Sequence, residues 1–220
     1  MKQILIQTNI LKNNDDIARK NRQRLNDQKI FTINLLGSPG SGKTSILEQI
    51  IKHIKPKVNM GVIEGDLYTT KDAQRIEKHN VNVIQVNTGG ICHLDASMVQ
   101  HALQYLDIDY LDFLVIENVG NLVCPAAYDL GGDMKITVMS VTEGNDKPLK
   151  YPFMFQISSV IILNKVDIID FTDFDIEEFY KDIKSLNEEI QIYEVSCKTG
   201  QGIEELSKYF ESKINCKKGE

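Results

Sequence analysis

The octapeptide GSPGSGKT, residues 37–44, lies between the apolar run IFTINLL and the helix-patterned SILEQIIKHI. A strand, a glycine-rich turn and a helix in that order form the setting a phosphate cradle requires, and few folds supply it. Gly37, Gly40 and Gly42 let the backbone curl closely around phosphate and present its amides as donors. Lys43 brings a flexible cation to the outer phosphates, and the Thr44 hydroxyl suits Mg²⁺. Ser38, Ser41 and Ser45 are counted with them as nucleotide contacts, and the helix that follows adds its positive end. The motif points to a nucleoside triphosphate. It does not by itself separate hydrolysis from kinase-type transfer to another acceptor.

From residue 30 onward short apolar runs alternate with helical spacing, the rhythm of a parallel sheet covered on both faces. Strands are predicted at 30–36, 58–63, 81–86, 113–117, 136–141, 160–163 and 192–195, and helices at 44–54, 71–79, 94–106, 176–186 and 203–214. In the last helix Ile203, Leu206, Phe210 and Ile214 form one apolar face. The segment 142–152 reads as an exposed excursion. Three parts are expected: an amino-terminal helical arm at 1–28, one domain built around the phosphate cradle at 29–216, and a flexible tail at 217–220. In the arm, Ile4, Ile10, Leu11, Ile17 and Leu25 form an irregular stripe suited to docking.

With 42% hydrophobic residues the chain can bury a sizeable core. A formal charge of −6 disfavours non-specific capture of a nucleic-acid backbone. No apolar run approaches the roughly 20 residues that cross a bilayer, so no membrane association is expected. Four cysteines are too few for a disulfide scaffold, which suits a cytoplasmic setting.

Asn164, Lys165 and Asp167 form NKVD directly after the apolar SSVIIL. Guanine presents two neighbouring N–H donors that the Asp167 carboxylate can accept as a pair, whereas adenine has an acceptor in place of one of them. Asn164 can meet another base edge or brace the loop, and the stem of Lys165 can lie over the purine. Ser196, Cys197 and Lys198, the SCK after IQIYEV, can add backbone donors and a cation beside the base. GTP is therefore favoured over ATP. Asp66, Asp72 and Glu117, each at a strand end or helix start, are candidate Mg²⁺ contacts, directly or through water. Asp66 and Asp72 are also candidates for orienting the attacking water, and Gly120 for registering the γ-phosphate. Lys43, Asp66, Asp72 and Glu117 form the expected catalytic set.

Cys92 and His93 in NTGGICHLD, and Cys124 in ENVGNLVCPA, make a soft donor set suited to zinc or nickel. The cysteines are 32 positions apart, too far for a compact finger, so adjacent strand ends are required to bring them together. Core packing or simple exposure of these residues is the competing reading.

Taken together, GSPGSGKT, EGDLYTTKDAQR, NTGGICHLDA, IENVGNLVCPA, TEGNDKP, NKVD and SCK resemble the hydrogenase nickel-incorporation GTPases, also called hydrogenase maturation protein B. The resemblance spans residues 30–214. It implies a three-layer phosphate-loop NTPase fold of the signal-recognition and MinD-like branch, with a mostly parallel sheet of about seven strands. It also implies GTP-dependent delivery of Ni²⁺ during maturation of nickel-iron hydrogenase, and in some organisms of urease. The expected ligands are GTP or GDP, Mg²⁺, and Ni²⁺ or Zn²⁺. Expected partners are a second copy of the chain in the GTP state, a small zinc-containing maturation protein, the hydrogenase large-subunit precursor and, where urease is served, its maturation proteins. On this resemblance Lys43 and Thr44 engage phosphates and Mg²⁺, Asp72 and Glu117 support the catalytic centre, Asp167 reads guanine, and Cys92, His93 and Cys124 hold the transferred metal. Residues 1–28 contain no Cys or His, so a separate nickel store there is not expected. The competing functions are a GTP-controlled interaction switch with a structural zinc site and a nucleotide-dependent kinase.

Overall fold

The computed structural model describes residues 6–219, with side chains from residue 11 onward. Of the arm's expected stripe, Ile4 and the side chain of Ile10 lie outside these bounds. Seven strands, β1 Phe31–Gly37, β2 Met60–Asp66, β3 Asn82–Asn87, β4 Phe113–Glu117, β5 Met134–Ser140, β6 Val160–Asn164 and β7 Gln191–Val195, form one sheet. Their order is β3-β2-β4-β1-β5-β6-β7, and neighbouring strands run parallel. The central strands are buried along nearly their whole length. A parallel sheet sealed on both faces needs such unbroken apolar runs, which is why they stand out in the sequence.

Odd-numbered positions of β1 face the helices α2 Lys43–Ile54 and α9 Ile203–Lys218, which pack over Ile33, Leu35, Val62, Val115 and Val138. The opposite face is divided. Helices α1 Ile6–Asp27 and α4 Ala96–Ala102 cover its β2–β4 half through Leu25, Val99 and Leu103. Helix α8 Ile176–Leu186 covers the β5–β6 half with the two short helices α6 Lys147–Lys150 and α7 Pro152–Gln156 beside it. Helix α3 Lys71–Glu77 adds Ile76 to the first face. The expected excursion at 142–152 is thus partly packed, with Pro148 buried in α6.

Two expectations are revised. Helix α9 continues to Lys218, so the flexible tail expected at 217–220 is helical at its start. Lys217 pairs with Asp133 and Lys218 with Asp112, and these ion pairs tie the last turn to the sheet. In α1 the buried seam is Asn14, Ala18, Asn21 and Leu25, at helical steps of three and four, while Leu11 and Ile17 are only partly covered. The polar seam has a cause: α1 lies on loop backbone, whose amides and carbonyls need partners when buried. Among the described residues no helix is long and apolar enough to cross a membrane.

Candidate functional site

The loop after β1 wraps a cavity of about 440 Å³ at the carboxyl edge of the sheet, lined by Gly40, Gly42, Lys43, Thr44 and Ser45 of the cradle and by Asp66, Asp72, Glu117 and Gly120. Gly37 and Gly42 adopt positive φ, and neither position has room for a side chain. A Cβ on Gly37 would lie 2.3 Å from the Val138 carbonyl, and one on Gly42 would lie 2.2 Å from the Asn164 amide nitrogen. Lys43 donates to the carbonyls of Gly37 and Ser38, each at 3.3 Å. Burial disfavours its charged ammonium and lowers its pKa, while Glu117 and Glu64 act in the other direction. Thr44 Oγ1 donates to Glu117 Oε1 at 2.8 Å. Ser41 is buried, Ser38 offers its carbonyl, and the Ser45 hydroxyl accepts from Arg75.

Glu64 did not stand out in the sequence. It lies one strand over from Glu117, in direct register, and is 2% exposed. Each of these carboxylates keeps one buried oxygen without a hydrogen-bond partner among the described residues. Glu64, Asp66 and Asp72 present carboxylate oxygens within 4.8 Å of one another. Asp66 also accepts from the amides of Tyr68 and Thr69, and Asp72 pairs with Arg75, which bridges to Glu48. Orphaned buried oxygens beside a threonine hydroxyl are the donor chemistry that suits a hydrated Mg²⁺.

Burial is the main reason Glu64 is pushed up to about 8, with Glu117, Asp72 and Asp66 adding repulsion; burial also pushes Glu117 up to about 7, against the pull of Lys43 and Thr44. Both values lie above the ordinary 4.5, so the folded chain retains protons that the unfolded chain has lost. Their contribution is full at low pH and disappears as pH rises through about 7 and then about 8. Melting of the Mg²⁺-free, nucleotide-free chain between about pH 5 and pH 8 should therefore show stability falling, each group steepening the slope by at most about 1.4 kcal/mol per pH unit. Glu64→Gln should flatten the profile relative to the parent; parallel profiles would contradict the assignment.

The NKVD loop, the candidate for reading the base, is built separately and tied back to the cradle. Asn164 Nδ2 donates to the Ser41 carbonyl at 2.9 Å, and Lys165 Nζ to the Gly40 carbonyl at 2.8 Å. Lys165 turns the chain with φ of 65°. Ser196 Oγ donates to Asp167 Oδ1 at 2.6 Å and accepts from the amides of Lys198 and Thr199, so NKVD and SCK form one unit. The Cys197 thiol, pushed up to about 11 chiefly by burial, lies 3.6 Å from Asn164 Oδ1.

The sulfurs of Cys92 and Cys124 and a ring nitrogen of His93 lie within 4.8 Å of one another, all three residues half-buried. His93 stacks on Tyr128, centroids 3.9 Å apart, and burial favours its neutral, metal-binding form. The Cys92 thiol beside Cys124 is the main cause raising the latter's pKa, with burial adding to it. The route by which they meet differs from the expectation of adjacent strand ends, because β2 lies between β3 and β4. The loop after β3 crosses over the end of β2, with buried Leu94 resting on Gly65, where a Cβ would come 2.7 Å from Leu94 Cγ. Asn118, next to Glu117, accepts from the Leu94 amide at 3.0 Å and so joins this loop to the nucleotide side. Cys216 is exposed on α9 and belongs to neither group.

A phosphate cradle at the carboxyl edge of a parallel sheet, facing a hydroxyl–carboxylate pair and with NKVD at its rim, defines a phosphate-loop GTPase. A signal recognition particle receptor FtsY from Elizabethkingia anophelis shares the fold, with a TM-score of 0.56 at 12% identity, over 89% of this chain and 73% of that one. The family described as CobW/HypB/UreG, nucleotide-binding domain, matches residues 31–194. Hydrogenase maturation factor HypB of Escherichia coli K12 is 44% identical over 207 residues, 94% of this chain and 71% of that protein. A Helicobacter pylori relative, named hydrogenase/urease maturation factor HypB, is 40% identical over 94% of this chain and 87% of its own length. The crystal structure of HypB from Helicobacter pylori in complex with nickel matches with a TM-score of 0.88 and 38% identity, over 92% of this chain and 95% of that one. The chain belongs to the HypB family.

Proposed function

We propose that the chain hydrolyses GTP and hands over nickel during maturation of nickel-iron hydrogenase, with urease maturation as a second outlet. The observation that carries this reading is the meeting of Cys92, His93 and Cys124 on loops joined to the nucleotide site through Asn118. Three half-buried soft donors leave a coordination position open, which suits a metal that must leave. A structural zinc site normally closes with four ligands. Zn²⁺ therefore enters as a competitor for the same donors. Two copies of the chain, brought together by GTP, can complete the coordination sphere, and a small zinc-containing maturation protein and the hydrogenase large-subunit precursor are the proposed exchange partners. The working unit is the GTPase domain of residues 29–216 with its arm, and the proposed setting is the cytoplasm.

In the chemical step water attacks the γ-phosphorus and GDP leaves. Lys43 and the amides of the cradle stabilise the transferring phosphoryl group, and Asp66 or Asp72 orients the water. Thr44, Glu117, Asp72 and the neighbouring Glu64 are the proposed Mg²⁺ group; the cation, when bound, neutralises charge on the phosphate oxygens. Asp167 reads guanine, braced by Ser196, and Gly120, packed on Pro39, is the proposed reporter of the loss of the γ-phosphate.

Nickel competition binding on the apo, GDP-bound and non-hydrolysable-GTP forms, with mass tracked in parallel, tests the coupling. Cys92→Ala should weaken nickel binding by at least about tenfold and erase its nucleotide dependence, with GTP binding retained. Nickel affinity that is equal in all three nucleotide states would end the metal-transfer reading. Phosphate appearing on an added small molecule would favour a kinase instead.

A further inference from the structure

We infer that helix α1 is a positioning element of the soft-metal site, and that Asn14 and Asn21 act as two parallel ties between its halves. The inference rests on the reading of Cys92, His93 and Cys124 as metal donors. The donors come from two segments that share no strand pairing: the loop leading into α4 carries Cys92 and His93, and the short helix α5, Cys124–Ala127, carries Cys124. Apart from the Asn118–Leu94 bond, it is a third element, α1, that spans the two segments.

Asn14 does so with both ends of its amide. Its Oδ1 accepts from the Ala96 amide at 2.8 Å, three residues beyond His93, and its Nδ2 donates to the Asp129 carbonyl at 2.9 Å, five residues beyond Cys124. Asn21, two turns further along α1, repeats the bridge: its Nδ2 donates to the Ala96 carbonyl at 2.9 Å and to the Leu130 carbonyl at 3.2 Å. Both asparagines are buried, at 6% and 1% exposure, so these bonds face no competition from water. Arg22 adds a paired contact to the Asp129 carboxylate, and Tyr128, one residue earlier, is the ring stacked on His93. Gly131 lets the second segment close on α1, since a Cβ there would lie 2.6 Å from the Ala18 carbonyl. Neither asparagine touches a donor atom. Each sets the spacing of the segments that carry them, the role that outer ligand shells play in metal affinity.

The test measures nickel affinity by chelator competition, the sulfur-to-nickel absorption band, and kcat/KM for GTP hydrolysis, on the full chain. Asn14→Ala/Asn21→Ala should weaken nickel by about tenfold or more and alter the band, with kcat/KM held within about twofold. Arg24→Ala is the control: it removes an α1 contact to the Leu103 carbonyl without touching either donor segment, and should leave nickel affinity unchanged. If the double variant fails to fold, Asn14→Ala alone carries the test, with a loss of about threefold or more. Parent-like nickel binding in the asparagine variants would overturn the inference, as would equal losses of nickel binding and GTP turnover, or an equal nickel loss in Arg24→Ala. Cys92→Ala measured alongside separates the two levels. If it leaves nickel affinity intact, the metal assignment itself fails; if it removes nickel while the asparagine variants bind normally, only the ties fail.

Discussion

Lys43→Ala is expected to lower kcat for GTP hydrolysis by about 10² to 10³, the range seen when one preorganised charge or donor is removed from a transition state. Lys43 is 8% exposed and its ammonium is held by the Gly37 and Ser38 carbonyls, so its position is fixed before nucleotide arrives. It is also the largest attractive influence on Glu117. Its removal therefore leaves two buried carboxyl groups with less counter-charge and a stronger preference for their protonated forms. The loss should appear in phosphate release at saturating GTP. A kcat within about threefold of the parent would mean that the cradle amides do the stabilising without this cation.

Asp167→Ala should weaken GTP by about 100-fold and leave ATP nearly unchanged. A charge-assisted hydrogen bond contributes about 1.5 to 3 kcal/mol, and loss of the guanine pair at even the lower figure gives roughly 3 kcal/mol, or about two decades of affinity. Ser196 holds one carboxylate oxygen at 2.6 Å, so the acceptor is oriented before the base is bound. Adenine gains nothing from this carboxylate, and its binding should fall only if the loop itself collapses. Titrations of both nucleotides against parent and variant decide the matter; equal losses would move base selection to another residue. Ser196→Ala should fall between the two, because it releases the carboxylate without removing it.

The strands were readable because a sealed parallel sheet demands unbroken apolar runs, and β4 and α8 fall within the bounds their residues suggest. Strand order was not readable from spacing. That β2 separates β3 from β4 depends on how the crossovers wind, and it changes how Cys92 reaches Cys124. Glu64 escaped notice because an acid just past the strand expected at 58–63 reads as a strand terminus; its importance lies in its register with Glu117, which only the sheet supplies. Asn14 and Asn21 were hidden for a related reason. Asparagines on a polar helix look like solvent-facing residues, and their burial depends on the loop backbone they meet. The cradle and the base loop, by contrast, are local chain conformations with residue requirements at fixed offsets, and so were visible in one dimension.

The passage of Leu94 over Gly65 gives a residue with no donor atom a say in the spacing of the proposed metal donors. Residue 65 acts as the sill on which the Cys92–His93 lintel rests. A side chain there would press on Leu94, and because Gly65 also lines the phosphate cavity beside Glu64, the same change reaches the nucleotide side. A change at this one backbone site would thus be felt by the proposed cargo donors and by the fuel cavity together, without altering a ligand to either.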